Sequence, residues 1–168
     1  MNQSGVTLFE LLVTLTIVTI MASVALPFTR VSATRTKEVE LHQNLRVIRS
    51  AIDAFRLDWY REGDVLTGPA CVKNRLTCKD VTGTYGYPKS LDVLLGVKLT
   101  GEQATVRGVT VKRYLRTIPP DPMSGRPDWL FRCYKDPASA KDWCGEDVYD
   151  VSSRSEELAL NGTKYREW

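Results

Sequence analysis

Gly5-Val6-Thr7-Leu8-Phe9-Glu10 opens the stretch of sequence that decides the fold. From Val6 to Leu26 the chain is apolar or hydroxylic throughout, and Glu10 is the only ionisable residue in it. Wound as a helix, this segment would reach about 31 Å, close to a hydrocarbon core of about 30 Å. A carboxylate inside such a span costs roughly 2.5–3.5 kcal/mol at mid-membrane and less towards its end. A cation supplied by another chain is the simplest group that would offset this cost. The segment then becomes an assembly device as well as an anchor.

Plainer readings of the same residues exist. A secretory signal peptide would show a basic start and a small-x-small cleavage site after a shorter apolar core, and neither stands at the right place. A plain single-span anchor has no need of Glu10. Thr7-x-x-Glu10 also spells a capping box, in which Glu10 helps satisfy the first backbone N–H groups. Capping is compatible with either role.

Ser4-Gly5 followed by Val6-Thr7-Leu8-Phe9-Glu10-Leu11-Leu12-Val13-Thr14-Leu15 resembles the class III signal of type IV pilins and type II secretion pseudopilins. The resemblance implies that a prepilin peptidase cuts between Gly5 and Val6 and methylates the new Val6 amine. It implies too that Glu10 pairs with the N-terminus of a neighbouring subunit. Pro27 stands where many helices of that family carry a helix-disturbing proline. Two features depart from the pattern: Val6 replaces the usual phenylalanine, and the leader Met1–Gly5 contains no Lys or Arg. Arg30, Arg35 and Lys37 follow the span instead. Charge asymmetry alone would leave the C-terminal part in the cytoplasm, whereas the resemblance places it in the periplasm. We adopt the second as the expectation. An abbreviated leader, or a start further upstream, would account for the missing charge.

The chain has 168 residues, and what remains beyond leader and span suits one small globular domain. With 23 basic against 20 acidic residues, the net charge of +3 is too mild and too evenly spread to argue for nucleic acid. Cys71, Cys78, Cys133 and Cys144 form two local pairs. Four cysteines allow three connectivities, and the turn residues around each pair (Gly68-Pro69 and Gly83; Pro137 and Gly145) favour local pairing. Their spacings are wider than those of the usual zinc sites. Disulfides would imply an oxidising compartment, consistent with a periplasmic domain.

Beyond the span, apolar residues recur at Leu41, Leu45, Ile48, Ile52, Phe55 and Trp59, the spacing of one helix face. The spacing predicts an unbroken helix from the span to about Arg61, ended by Glu62-Gly63-Asp64, with a kink or local melting near Met21–Leu26 ahead of Pro27. Its apolar stripe needs a partner, and a sheet from the C-terminal half is the obvious one. Gly63 to about Gly86 reads as loop. Tyr87–Leu95 reads as a short helix starting near Lys89 or Ser90, with Gly96 as its stop. Val106–Tyr114 is β-rich, Ile118–Pro122 is excluded from a central strand by its prolines, and Met123–Pro127 reads as a turn. Trp129–Tyr134 and Asp147–Val151 are the best strands, expected to pair antiparallel across the second cysteine loop. The polar tail Ser152–Trp168 ends on Tyr165 and Trp168, which should dock back on the domain.

Two segments of this half are similar to the major pseudopilin, the G subunit, of type II secretion. One is Tyr114-Leu115-Arg116-Thr117-Ile118-Pro119-Pro120-Asp121-Pro122-Met123-Ser124-Gly125, which looks like that group's Leu-x-x-[Ile/Leu]-Pro-x-Asp-Pro segment. The other is the C-terminal end, Val148–Ser153 with Ala159–Trp168. The resemblance implies calcium in a C-terminal loop. Calcium takes six to eight oxygens, and Ser152–Tyr165 offers only Glu156, Glu157 and Asn161, with Asp150 placed on a strand. A merely solvated acidic loop is the competing reading.

No catalytic constellation is legible. His42 is the only histidine and sits mid-helix, a solvated position by default, while phosphate loops and hydrolase or zinc-protease motifs are absent. Trp59, Trp129, Trp143 and Trp168 read as packing residues. The expectation is a non-enzymatic α+β, pilin-like fold: a long N-terminal helix, membrane-spanning in its first half, packed against a small antiparallel β-sheet. Its parts would be a leader at 1–5, an assembly helix at 6–26, an amphipathic second half at 27–62 and a periplasmic region at 63–168. The resemblance implies a single-pass inner-membrane protein that polymerises with itself as a pseudopilus subunit and drives export of folded proteins. Prepilin peptidase, an inner-membrane platform, minor pseudopilins and membrane lipid would be its partners, and nucleic acid would not. Alternatives are a type IV pilin or minor pilin for adhesion, motility or DNA uptake, and a membrane-anchored periplasmic enzyme or binding protein.

Overall fold

The computed structural model describes residues 7–101, 108, 110–137, 140 and 142–168, with backbone alone at 24–27. Its first element, α1 (Leu8–Trp59), is one helix of 52 residues, about 78 Å long at 1.5 Å per residue. The helix passes through Pro27 without a break, so the local melting expected near Met21–Leu26 is not seen. Proline removes one N–H from the ladder, and the bonds on either side suffice to carry the helix past it.

The remaining elements are short. In chain order they are β1 (Arg61–Glu62), β2 (Val65–Leu66), α2 (Pro69–Lys73), α3 (Arg75–Val81), α4 (Asp92–Leu95), β3 (Val97–Lys98), β4 (Val111–Lys112), β5 (Leu130–Arg132), β6 (Asp150–Ser152) and a closing 3₁₀ turn at Tyr165–Glu167. The strands pair as three separate antiparallel two-stranded ladders, β1 with β2, β3 with β4 and β5 with β6. The architecture is thus α+β, a long N-terminal helix packed with small antiparallel sheets. The single sheet expected from the sequence is divided because proline-rich and cysteine-closed loops interrupt pairing every few residues. Residues 106, 107 and 109 of the β-rich run lie outside the described residues, and β4 is the paired part of what remains.

Burial begins at Leu41. Leu41, Leu45, Ile48, Ile52, Phe55 and Trp59 are none of them more than 1% exposed, and they form the helical side of the core. Leu94, Val97, Trp129, Val148, Val151 and Tyr165 close over them from the rest of the chain. At roughly 1.5–3 kcal/mol for each fully buried large side chain, this face is the main source of stability. Trp143 is 39% exposed and packs edge-on against Phe131, so it is a packing residue of the surface and not of the core.

Gly63–Gly86, expected as loop, holds the strand β2, paired with β1 just ahead of it, and the helices α2 and α3. Pro69 at the first turn of α2 is a helix-start signal, outweighed in the sequence by the surrounding glycines. Those glycines serve packing instead. A Cβ on Gly68 would collide with the Asp58 carbonyl and the Tyr60 N–H, and one on Gly86, at φ +79°, would lie 2.8 Å from the Tyr60 Cα. Both let the loop lie directly on the end of α1. The disulfide Cys71–Cys78 joins α2 to α3, and Cys133–Cys144 closes the loop after β5. Gly96 ends α4 in an extended conformation, its N–H donating to the Val93 carbonyl.

Polar side chains bind the irregular segments to α1. Arg49 donates to the Asp150 carboxylate at 2.7 Å and to the carbonyls of Val151 and Trp168. Trp59 Nε1 donates to the Tyr114 hydroxyl, which donates to Asp58, and Lys112 pairs with the same carboxylate at 2.6 Å. Burial, reinforced by Asp58, pushes the Tyr114 phenol above its ordinary range, so it stays a donor. The proline-rich loop is held through its carbonyls: Asn44 donates to that of Pro120 and Trp129 Nε1 to that of Pro119. Asp121, fully buried, accepts from the Met123 N–H at 2.9 Å and from the Ser153 hydroxyl at 2.7 Å.

Asp121→Ala should therefore cost about 2–4 kcal/mol, since it strands the buried Ser153 hydroxyl and the half-buried Met123 N–H. Urea unfolding of the full chain in detergent, followed by tryptophan fluorescence, would measure it, and a loss below about 0.5 kcal/mol would contradict the assignment. Asp147 gives a pH prediction. Its Oδ1 accepts from the Tyr134 N–H at 3.0 Å, yet burial pushes its carboxyl above the ordinary value. The folded protein then holds this proton more tightly than the unfolded chain. This group's contribution to stability falls as pH rises from the ordinary carboxylate value through the raised folded one. Asp147→Asn, which keeps an acceptor without the charge, should be at least as stable as the parent at neutral pH and should flatten the dependence in the mildly acidic range. Reduction of the disulfides should cost about 2–3 kcal/mol for each loop opened, read by the same unfolding curves with and without reductant.

Candidate assembly site at the N-terminus of the long helix

The start of α1 is fixed within the motif itself. Thr7 caps the helix from an extended conformation, and its Oγ1 accepts the Glu10 N–H at 3.3 Å. The Leu11 N–H reaches the Thr7 carbonyl at 3.1 Å. Glu10 thereby lies in the first helical turn, where the unpaired N–H groups favour an anion. Only one half of the capping box forms, because the Glu10 carboxylate has no partner among the described residues. Gly5 and Val6, the expected cleavage and methylation positions, lie outside the described residues.

Around Glu10 the helix is apolar on every side. Leu8 and Phe9 are 78% and 75% exposed, and Leu11, Leu12, Leu15, Ile17, Val18 and Ile20 are all exposed in turn. This helix is the one in the described chain long and apolar enough to cross a membrane. Its hydroxyls fit the same environment. Thr14, Thr16, Thr19 and Ser23 each donate to a carbonyl three or four residues earlier, at 2.7–3.0 Å. Their polar atoms are satisfied within the helix and carry no unmet demand into an apolar setting. Glu10 is thus the single polar group of the described span without an internal answer.

The C-terminal residues considered for calcium do not fit it. Glu156 pairs with Arg166 at 2.6 Å and stands 4.0 Å from Lys164, and two neighbouring cations are the wrong sign for a divalent metal. Asn161 Oδ1 is engaged by the Thr163 N–H and hydroxyl, and Glu157 is exposed. Among the described residues, the one cluster with metal-ligand spacing is Cys133, Asp136 and Cys144, whose two sulfurs are spent in a disulfide. His42 is also not simply solvated: its ring stacks on Trp168 with centroids 4.2 Å apart.

The sequence left several working residues without a role. Glu38 receives the Leu160 N–H at 2.7 Å and the Tyr165 hydroxyl at 3.0 Å, fastening the tail to α1 just below the core. Burial, with Glu38 beside it, pushes the Tyr165 phenol up to about 12. Nothing local marks Glu38 or Arg49, since their partners lie more than a hundred residues away. Asp121, enclosed by prolines, at least stood in a recognisable motif.

Residues 1–26 match the family model described as the prokaryotic N-terminal methylation motif. Neither a curated protein nor a solved structure matches the chain. The match covers the N-terminal motif and the first part of the exposed apolar helix, the helix that among the described residues is long and apolar enough to cross a membrane.

Proposed function

We propose that the chain is a structural subunit of a type II secretion pseudopilus. Prepilin peptidase cuts between Gly5 and Val6, and Val6 carries the methylated amine. The processed subunit sits in the inner membrane, crossing it once, with the region beyond α1 in the periplasm. Polymerisation packs the N-terminal helices into a bundle, where Glu10 of one subunit meets the Val6 ammonium of another. The observation that carries this reading is the Glu10 carboxylate, without a partner among the described residues on a helix otherwise apolar and satisfied. Pairing would neutralise both charges inside the bundle, where a lone carboxylate is heavily penalised. It would also select one axial register.

The likeness of Tyr114–Gly125 and of the C-terminal end to the major pseudopilin supports that subunit over a fibre-forming pilin. Asp121, the acid of the first segment, has a structural part to play here, pinned between the Met123 N–H and Ser153. In this setting a membrane platform and a cytoplasmic motor add subunits, minor pseudopilins cap the filament, and the growing filament pushes folded proteins outwards.

Glu10→Leu is the decisive variant. It should insert into the membrane at least as well as the parent, because a charge has been removed from the span. Filament yield should fall at least about a hundredfold, since the ammonium left behind is buried unpaired. Electron microscopy of sheared filaments and export of a reporter substrate would measure both, and normal polymerisation by the variant would refute the pairing. Intact-mass spectrometry of the membrane protein should in turn show loss of Met1–Gly5 and one methyl group on Val6.

A further inference from the structure

Between the apolar span and Leu41, where burial in the domain begins, α1 carries a basic collar. Arg30, Arg35 and Lys37 are all exposed, and among the described residues none of the three forms an ion pair. Glu38, three residues beyond Arg35, is the natural intrahelical partner for it. The tail has taken that carboxylate: Glu38 Oε1 is held by the Leu160 N–H and the Tyr165 hydroxyl. Glu40, three residues beyond Lys37, is exposed and makes no ion pair with it. The collar is therefore left with its positive charge uncompensated by the fold.

Its position along the helix is set by the rise. Arg30 stands about 6 Å and Lys37 about 16 Å beyond Leu26, while the headgroup layer adds roughly 5–7 Å outside the hydrocarbon. Side chains on an α-helix lean towards its N-terminus, which here means back towards the membrane. Long basic stems lie along apolar surface with their charges at the interface, and exposed Phe28 and Val31 provide that surface. Arg30 thus reaches the phosphate plane directly. Arg35 and Lys37 lean to within about one Debye length of it, roughly 8–10 Å.

We propose that Arg30, Arg35 and Lys37 form a binding collar for the phosphodiester headgroups of anionic phospholipids in the leaflet through which α1 leaves the membrane. The proposal rests on reading residues 6–26 as a membrane span and holds for either orientation of the chain. The collar selects lipids around the unassembled subunit and fixes the depth at which the domain rides above the bilayer. The tail contributes by holding Glu38 away from the cations.

The test uses the full chain reconstituted into phosphatidylcholine vesicles containing spin-labelled phosphatidylglycerol or spin-labelled phosphatidylcholine. Electron paramagnetic resonance then reads the motionally restricted fraction of each lipid. The parent should prefer the anionic lipid at least about fivefold, the ratio expected for one effective cation, and lose the preference at high salt. The triple variant Arg30→Gln, Arg35→Gln, Lys37→Gln should show no preference. A control of equal net charge, Arg75→Gln, Lys98→Gln, Arg116→Gln, whose positions are exposed on the globular region, should behave as the parent does. Equal restriction of both lipids by the parent, or loss of preference in both triple variants, would overturn the collar while leaving the span intact. A chain that restricts neither lipid would overturn the membrane span and the collar together.

Discussion

One side of one helix organises the domain. From Leu41 to Trp59, α1 presents six large apolar side chains in a row, and together they are almost wholly removed from water. Leu94, Val97, Trp129, Val148, Val151 and Tyr165 from later segments belong to the same buried cluster as this row. The burial of so much apolar area along a rigid rod explains why strands of two or three residues suffice elsewhere. Isolated ladders of that length have little stability of their own. They persist because the helix supplies a prebuilt surface on which their inward side chains can be buried.

Hydrophobic burial gives the domain its stability but does not by itself place a proline-rich loop or a polar tail. That task falls to polar side chains reaching across from the helix. Glu38 and Arg49 hold the tail, Asn44 holds the carbonyl of Pro120, and Asp58 with Trp59 holds Tyr114. The arrangement suits segments rich in proline, which lack N–H donors and can only accept. Asp121 and Ser153 complete it by joining the loop to the tail away from the helix. The two disulfides act on different ground, each closing a short loop whose own apolar content is small.

The same helix continues into a region where nothing among the described residues covers it. Its first half meets the demands of an apolar environment by self-satisfied hydroxyls and by side chains exposed on all sides. Glu10 is the exception, and its position beside the helix start gives the exception a direction, towards whatever lies next to the N-terminus. The domain is folded on one half of the rod, and the other half, with its charged apex, is left uncovered by the described residues. The prepilin-type motif accords with this division of labour.

Much of this was legible in the sequence because it depends on local periodicity. The stripe at Leu41–Trp59, the long helix, the span with its lone Glu10 and the antiparallel pair β5–β6 follow from spacing and turn residues, which report on neighbours a few positions apart. Division into three ladders, the helices α2 and α3, the exposure of Trp143 and the fastening of Glu38 to Tyr165 do not. Each of these turns on which distant groups meet, and that is set when segments compete to cover one helix face. Gly68 and Gly86 show the difference plainly. In sequence they signal loops, while in the fold they allow backbone to rest against the end of α1. Their spacing carries no trace of that contact, because close approach is a property of two strands of chain and sequence describes only one.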